Sequence, residues 1–390
     1  MMFGSRQNMC GRALAVLGVA AMLTACGGGG SGNGGAGATP SAGGNDVLNL
    51  GVQSVSVAAG VGYSLAVQAD GSVKAWGEGM TGLISTGLNT TKSVGAGLWT
   101  DGRDSSFAVS DSGQLRHWGF DSLDGKTNLP LLLSGLGNVV AARSCGIGPV
   151  AMVYMLKSDG TVWATPAKSL TQNSTAFQVT GLKATKALSD GGDDTCSGML
   201  AIANDGTVSL LVASNSAEPT GVPNRVTATG VIGLTGIKQA SCAVESCLAV
   251  NDSGQVLAWG TNDKGQAGNG TKAFVATPQA VTLPTAAGKV KKVLVSMSGT
   301  AYAVTESGSL YAWGDVAVNA MGSTLSAKPV LGLPSSPVKD ISVSPAEQSH
   351  TLVVLGNGQV WGWGDNALSQ ISGIAGALVS VPTRSEVSFN

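Results

Sequence analysis

Apolar and polar residues alternate on both sides of a glycine in a pattern that occurs seven times along the chain. The first copy reads LAVQADGSVKAWG from Leu65 to Gly77. A period of two residues around such a glycine predicts a β-hairpin, because the turn needs the positive φ that glycine adopts without strain. In every copy, apolar residues stand six and four positions before the turn glycine and two after it. The turn glycines are Gly71, Gly113, Gly160, Gly206, Gly254, Gly308 and Gly358.

The spacing of these glycines predicts the fold class. They follow one another after 42, 47, 46, 48, 54 and 50 residues. A further apolar run precedes each hairpin and another strand candidate follows several of them, which gives about four strands per repeat, as in a propeller blade. We therefore predict an all-β, seven-bladed β-propeller with four-stranded antiparallel blades over residues 47–390. Because an open ring would expose a sheet edge, we expect the tail 380–389 and the region from Val52 to Val57 to share a closing blade.

A tryptophan five residues after the turn glycine marks five copies, whereas the third and fourth have Thr165 and Leu211 there. The fifth copy continues as WGTNDKGQAG from Trp259 to Gly268, and the seventh begins with HTL at His350. From about residue 50 onwards, the chain resembles the regulator of chromosome condensation repeat family. The resemblance implies a seven-bladed propeller that binds other proteins. Secreted bacterial relatives include a β-lactamase inhibitory propeller.

The amino terminus predicts a membrane anchor. Arg6 and Arg12 precede an apolar run, from Ala13 to Leu23, that is too short to span a bilayer. The run ends in LTAC, which resembles a bacterial lipobox, so we expect residues 1–25 to be a lipoprotein signal peptide and Cys26 to carry the lipid. The alternative is an ordinary secretory signal with an incidental cysteine.

The residues after Cys26 predict how the domain is tethered and where. Gly27 stands where an aspartate would mark retention, which favours an outer-membrane lipoprotein that is periplasmic or exposed at the cell surface. Residues 26–46 are rich in Gly, Ser, Ala and Asn and predict a flexible linker after the lipid anchor.

Charge and cysteine content narrow the function classes. The formal net charge is −1, without the basic stripe that nucleic-acid binding requires, so we expect a monomer whose partners are an unknown protein and, through the lipid, the membrane. Apart from Cys10 and Cys26, four cysteines remain, an even number that predicts disulfides in an oxidising compartment. Three pairings are possible, and we favour a hairpin disulfide with a second one between adjacent blades. A zinc site is the alternative, but no histidine is close to these cysteines in the sequence. The favoured pairs are Cys242–Cys247 and Cys145–Cys196.

The sequence offers few combinations of residues that could form a catalytic site, so we predict no catalytic residue, metal or cofactor. The two histidines, His117 and His350, occupy strand positions and are expected to be packed structural side chains. The acidic run from Asp190 to Asp194 allows a calcium site, although its ligand spacing is irregular and a solvated polar loop is the default interpretation.

The connections between first and second strands are expected to lie on one face of the disc. They bring together aromatic, arginine and acidic residues, which are typical of protein-binding surfaces, with Tyr63 at the edge. We therefore predict a lipid-anchored, non-enzymatic propeller that binds a protein in the cell envelope or outside the cell. The alternatives are a carbohydrate- or cell-wall-binding module, which would need similar exposed aromatics on each blade, and a propeller lyase or hydrolase, which would need convergent His, Glu or Lys. The expected protein-binding residues are Trp99, Asp101, Arg103, Asp104, Asp193, Asp194, Glu245 and Glu347.

Overall fold

The computed structural model describes residues 56–385 with internal gaps. The signal peptide, Cys26 and the linker predicted from the sequence therefore lie outside the described residues. Residues Asn45–Asn390 form one compact unit. No helical segment within the described part of the chain is long and apolar enough to cross a bilayer. The gaps are 79–83, 86–87, 101–102, 122–125, 128–129, 146–150, 168–169, 171, 173, 191–197, 215–224, 346–348, 372–375 and 377.

Seven antiparallel sheets follow one another in sequence order, which confirms the predicted seven-bladed propeller. Six sheets have four strands, and the second has six because it contains a short additional hairpin. The innermost strands are β1 (Val57–Ala59), β5 (Thr91–Thr100), β11 (Val139–Cys145), β15 (Thr185–Leu188), β19 (Ile237–Ala243), β23 (Val290–Val295) and β27 (Val338–Val343). The second strands are β2 (Tyr63–Val67), β6 (Arg103–Ser110), β12 (Met152–Lys157), β16 (Leu200–Ala203), β20 (Ser246–Asn251), β24 (Thr300–Thr305) and β28 (His350–Leu355).

The outer half of each blade contains the third and fourth strands. The third strands are β3 (Val73–Gly77), β7 (Leu115–Trp118), β13 (Val162–Pro166), β17 (Val208–Ser214), β21 (Val256–Gly260), β25 (Leu310–Val316) and β29 (Val360–Gly364). The fourth strands are β4 (Ile84–Ser85), β10 (Leu131–Leu132), β14 (Phe177–Gln178), β18 (Arg225–Gly230), β22 (Val275–Ala280), β26 (Gly322–Pro329) and β30 (Val379–Arg384). The additional hairpin of the second blade is β8 (Phe120–Asp121) and β9 (Lys126–Thr127), and two 3₁₀ turns span Thr285–Ala287 and Val318–Ala320.

The turn glycines are needed for their backbone conformation and for their lack of a side chain. Their φ values lie between 74° and 87°, a region that side-chain-bearing residues rarely adopt. In six seams the carbonyl of the turn glycine accepts a hydrogen bond from the first residue of the next blade, as in Thr91 N to Gly71 O at 2.9 Å. A Cβ at Gly308 would lie 2.3 Å from Cβ of Pro337. The repeated glycine therefore both forms the hairpin and allows the next blade to approach.

Apolar clusters fill the seams between consecutive blades, one cluster for each seam of the described ring. Tryptophan packs against the preceding blade: Trp313 joins the cluster between the fifth and sixth blades, and Trp363 the one between the sixth and seventh. The seam before the fourth blade has Leu211 together with Met152 and Tyr154 instead.

Within the described residues the ring closes without a shared sheet, so the prediction of a closing blade is wrong for Val57 and for 380–384, while 52–55 and 386–389 lie outside the described residues. Strand β1 belongs to the first sheet and β30 is the outermost strand of the seventh. The innermost strands meet instead: Val57 N donates to Asp340 Oδ2 at 3.2 Å and Ala59 N donates to Ser342 Oγ at 3.0 Å. An apolar cluster that includes Trp76 fills the rest of this seam. Side-chain hydrogen bonds near the axis and apolar packing replace the expected strand pairing.

Candidate binding face and axial charge network

The strand order gives the disc two distinguishable faces. The turn face carries the seven turn glycines, which connect second strands to third strands. The link face carries the connections from first to second strands. Each innermost strand therefore runs from the turn face to the link face.

Of the described connections from first to second strands, the one in the second blade has the longest paired hairpin. Strand β5 has ten residues and β6 has eight, and their pairing continues to Thr100 opposite Arg103. The matching hairpin of the fifth blade, β19 and β20, ends at Ala243 opposite Ser246. Counted from equivalent pairs, the β5–β6 hairpin is two to three residues longer, which at about 3.3 Å per residue is roughly 7–10 Å. Strand β8 pairs with this extension beside its tip, at Arg103 opposite Asp121.

The structure places three of the eight expected binding residues on this hairpin. Trp99 lies in β5, whereas Arg103 and Asp104 lie at the start of β6, beside the tip. Glu245 is exposed at the tip of the β19–β20 hairpin, three blades further round the ring. Tyr63 was expected at the edge of this surface but is buried, and its hydroxyl accepts a hydrogen bond from Ser106 Oγ at 2.9 Å. Outside the described residues lie Asp101, Asp193, Asp194 and Glu347.

A disulfide closes the hairpin that bears Glu245. Cys242 and Cys247 face each other in β19 and β20 and are joined, as favoured from the sequence. The turn between them holds Val244 at a φ of 45° and Glu245 at 61°, a left-handed conformation that is unfavourable for a β-branched residue. Cys145 also forms a disulfide, but Cys196 is outside the described residues, so the second pairing stays a prediction. Within the described ranges, no group of three or more His, Cys, Asp or Glu side chains is placed to hold a metal.

Four charged side chains from four blades meet around the axis. Arg143 Nη2 donates to Asp190 Oδ1 at 2.7 Å, and Lys292 Nζ lies 2.8 Å from Asp340 Oδ1 and 3.7 Å from Asp190 Oδ2. They line a cavity of about 90 Å³ together with the neutral Ser144. Two cations and two anions balance one another's charge in this network, which links three innermost strands to Asp190, two residues after the innermost strand of the fourth blade.

The ionisation of this network follows from its geometry. Burial raises the pKa of Asp190, but Lys292 and Arg143 outweigh that effect and hold the pKa below its usual value. Burial lowers the pKa of Lys292, whereas Asp340 and Asp190 raise it by more. Asp190 is thus an ionised interior group, not part of the solvated acidic loop that the sequence indicated. The calcium alternative also involved residues 191–194, which the structure does not describe.

Sequence reasoning missed this network, although a signal was present. The innermost strands of the fifth, sixth and seventh blades begin IKQ, VKK and VKD, and each places a polar residue third. Gln239 is the third residue in the fifth blade. Its Nε2 donates to Val293 O at 2.9 Å while its Oε1 accepts from Val293 N at 2.8 Å. Asp340 holds the same position in the seventh blade, and its carboxylate accepts a hydrogen bond from Val57 N of the first blade. The third residue of the innermost strand thus bonds to the next blade in both cases.

Both histidines are engaged with protein. His350 is buried in the seam between the seventh and first blades, where its Nε2 lies 2.8 Å from Ser64 Oγ, which in turn donates to Gln370 O at 2.6 Å. Burial lowers the pKa of His350 to about 3 and that of His117 to about 4. The His117 ring lies 5.1 Å from that of Phe107. These environments suit structural side chains.

Two loops after the third strand share one hydrogen-bonding pattern. In the fifth blade Asn262 Oδ1 accepts from Ala267 N at 2.8 Å, and in the seventh Asn366 Oδ1 accepts from Ile371 N at 2.9 Å. Each loop also has a glutamine whose Oε1 accepts from the backbone two residues earlier. Trp313 Nε1 donates to the carbonyl of one of them, Gln266, at 2.8 Å. The polar loop of one blade thus positions the tryptophan of the next.

Family models match the two parts of the chain that contain these loops. Two models of the regulator of chromosome condensation (RCC1) repeat match residues 253–301 and 348–370, which contain the two asparagine–glutamine loops. Yeast RCC1 (Prp20), from a crystal structure with Kap60, has a TM-score of 0.60 at 16% identity over 84% of this chain and 85% of that one. The chain is a propeller that contains RCC1 repeats. Human WBSCR16 is similar in fold, with a TM-score of 0.52 at 15% identity over 85% of this chain and 82% of that one.

Curated relatives share only part of their length with this RCC1-repeat propeller. The human E3 ubiquitin-protein ligase HERC2 is 34% identical over 125 residues, which are 30% of this chain and 3% of that protein. The ultraviolet-B receptor UVR8 of Arabidopsis thaliana is 41% identical over 78 residues, 20% of this chain and 17% of that one. These matches concern the repeats and do not extend to the other parts of the larger protein.

Proposed function

We propose that this RCC1-repeat propeller is a non-enzymatic protein-binding module and that the extended β5–β6 hairpin makes the contact. The observation that carries the proposal is the roughly 7–10 Å by which this hairpin exceeds its counterpart in the fifth blade. A projecting hairpin on a rigid ring presents side chains at low ordering cost. Yeast RCC1, which has the same fold, is described bound to Kap60, and its binding to Gsp1p and histones is named for a second structure of that protein.

The described charged groups support a binding role over catalysis. Around the axis, Arg143, Asp190, Lys292 and Asp340 satisfy one another's charges. His350 is buried and hydrogen-bonded to Ser64. A general acid or base must reach a substrate, and these groups are committed to the ring.

We further propose that the propeller is an outer-membrane lipoprotein anchored through Cys26. The lipobox-like LTAC and the Gly-rich segment that follows it support this proposal. Because β1 runs from the turn face to the link face, Ser56 enters the ring from the turn face. The β5–β6 hairpin extends from the opposite face. Replacing Cys26 with serine should abolish incorporation of labelled fatty acid and release the protein from membranes.

The binding proposal is tested by cross-linking in cell-envelope preparations with two variants and two matched controls. Trp99→Ala and Arg103→Ala alter the hairpin, whereas Phe274→Ala and Arg225→Ala remove an exposed aromatic and an exposed arginine elsewhere. Hot-spot losses of about 1–3 kcal/mol predict a 5- to 150-fold weaker interaction for the hairpin variants only. Equal capture by all four variants would contradict the proposed surface.

A further inference from the structure

A β-bulge recurs at the start of the innermost strand in blades two to seven. In each of these blades the register shifts between the first and third residues of the strand, so the second residue is the bulged one. The bulged residue is Val140 in the third blade and lysine in the other five. A bulge redirects its side chain relative to the regular pleat. The lysines are Lys92, Lys186, Lys238, Lys291 and Lys339, five of the fifteen in the chain. We call them the axial lysine ring.

The backbone positions of these lysines surround the axis on the turn face. Each innermost strand begins there, because its first residue donates to the turn-glycine carbonyl of the preceding blade. The side chains of Lys92 and Lys339 are exposed, and the other three are half-buried. The axial lysine ring therefore lies at the end of the disc opposite the β5–β6 hairpin.

The positive charge of this ring is poorly neutralised nearby. Among the described residues, Lys238 alone of the five has a carboxylate within 4 Å, Glu306 at 3.9 Å. Lys291 Nζ donates to Val338 O at 3.0 Å. Burial lowers the pKa of Lys291, Asp340 offsets part of that effect, and the neighbouring Lys339 and Lys292 lower the pKa further. Crowded like charges of this kind are a feature of sites that hold an anion.

Acidic residues on the same face limit the size of that anion. They stand beside the turn glycines, between second and third strands, and so lie further from the axis than the innermost strands. A broad anionic surface would meet both circles of charge. A compact anion at the axis would meet mainly Lys92, Lys186, Lys291 and Lys339, because Lys238 is paired with Glu306. The acidic residues are Asp70, Asp111, Asp159, Asp205, Asp252 and Glu306, all exposed.

We propose that the axial lysine ring binds a compact polyanion of the phosphate class at the centre of the turn face. Lysine ammonium groups bind phosphate as point charges. Several of them around one opening strengthen the positive electrostatic potential there. The phosphate group belongs either to a soluble phosphate ester or to a phospholipid headgroup. This site goes beyond the proposed protein-binding function and does not depend on the lipid anchor, since its lysines belong to the propeller itself.

The test uses the full chain with Cys26→Ser, so that no lipid contributes to binding. Two probes are compared by calorimetry and co-sedimentation: tripolyphosphate, and phosphatidylcholine vesicles with or without phosphatidylglycerol. The ring variant is K186Q/K291Q/K339Q, and the matched control K264Q/K272Q/K328Q removes the same charge from exposed lysines elsewhere. We expect the ring variant to bind at least ten-fold more weakly and the control to bind like the parent.

Each outcome decides the proposal. Binding of tripolyphosphate alone identifies a soluble phosphate ester, and a preference for phosphatidylglycerol vesicles identifies a headgroup. Either result supports the site if the ring variant loses it and the control does not. Absence of binding to both probes, or equal loss in the two triple variants, overturns it. Should the ring variant melt well below the parent, Lys92→Gln and Lys339→Gln replace it, because both side chains are exposed, and unchanged affinity in both would also overturn the proposal.

Discussion

Blades five to seven follow the repeat pattern more closely than blades two to four, although both groups form the same four-stranded blade. The former contain both RCC1-repeat matches, the two asparagine–glutamine loops and a tryptophan in every third strand. The latter have the extended β5–β6 hairpin, the additional β8–β9 hairpin, and Thr165 and Leu211 in place of tryptophan. The difference shows that turn glycines and seam packing suffice to build a blade. We infer that the segments of blades two to four that depart from the repeat pattern form the recognition surface.

The largest expected effect tests whether tryptophan packing stabilises the regular blades. Trp313 is fully buried, so Trp313→Ala removes a large seam side chain and should cost about 4 kcal/mol of unfolding free energy. Trp361→Ala removes a half-buried tryptophan of the same half and should cost clearly less. Denaturant unfolding measures both. If both variants lost a similar amount of unfolding free energy, the repeated tryptophan would not be what stabilises the seam.

The second prediction concerns the network that ties the two halves together. Asp340→Ala leaves Lys292 without its nearest carboxylate and removes the acceptor for Val57 N, so we expect a loss of about 3 kcal/mol. Asp340→Ala combined with Lys292→Met should recover much of it, because the unpaired buried cation is gone. If the double variant is less stable than the single one, the charge pair is not what Asp340 contributes.

Sequence and structure agree on the elements that every blade repeats. Glycine turns and apolar alternation predicted seven blades correctly, since those features act within one hairpin. The β8–β9 strands of two residues each were missed because so short a polar pair has no detectable periodicity. The network was missed because its four side chains come from four blades and Lys292 reaches Asp190 only in the assembled ring. The β5–β6 extension was likewise hidden, although Trp99 and Arg103 marked its position.

The third prediction uses pH to compare a seam histidine with one in the second blade. The pKa of His350 falls from 6.5 to about 3 on folding, so the unfolded chain binds the extra proton between these values. This contribution to stability is present above pH 6.5 and is lost as pH falls, by roughly 2–3 kcal/mol at pH 4.5. Below about pH 4, His350→Gln should flatten the pH dependence of the melting temperature more than His117→Gln, because the pKa of His117 falls only to about 4. An unchanged slope in His350→Gln would exclude this residue as the acid-sensitive group.

A smaller effect is expected from the disulfide in the fifth blade. Cys242 and Cys247 enclose a short loop, so replacing both with serine should lower the unfolding free energy by about 2 kcal/mol. The matched control replaces Val244-Glu245 with Asn-Gly, which suits the positive φ of the turn and keeps the disulfide. We expect that control to be at least as stable as the parent. A destabilised control would show that valine at this turn makes favourable contacts.

The most direct measurement is the partner affinity of a propeller whose β5–β6 hairpin is shortened. Gly97 and Ser105 face each other, so replacing residues 98–104 with Asn-Gly closes the hairpin at a natural register. Phe274→Ala and Arg225→Ala, which leave every expected binding residue in place, serve as the comparison. We predict an unfolding free energy within about 1 kcal/mol of the parent and at least a 100-fold loss of affinity for the cross-linked partner, only in the shortened variant. Undiminished affinity in a folded, shortened propeller would contradict the account.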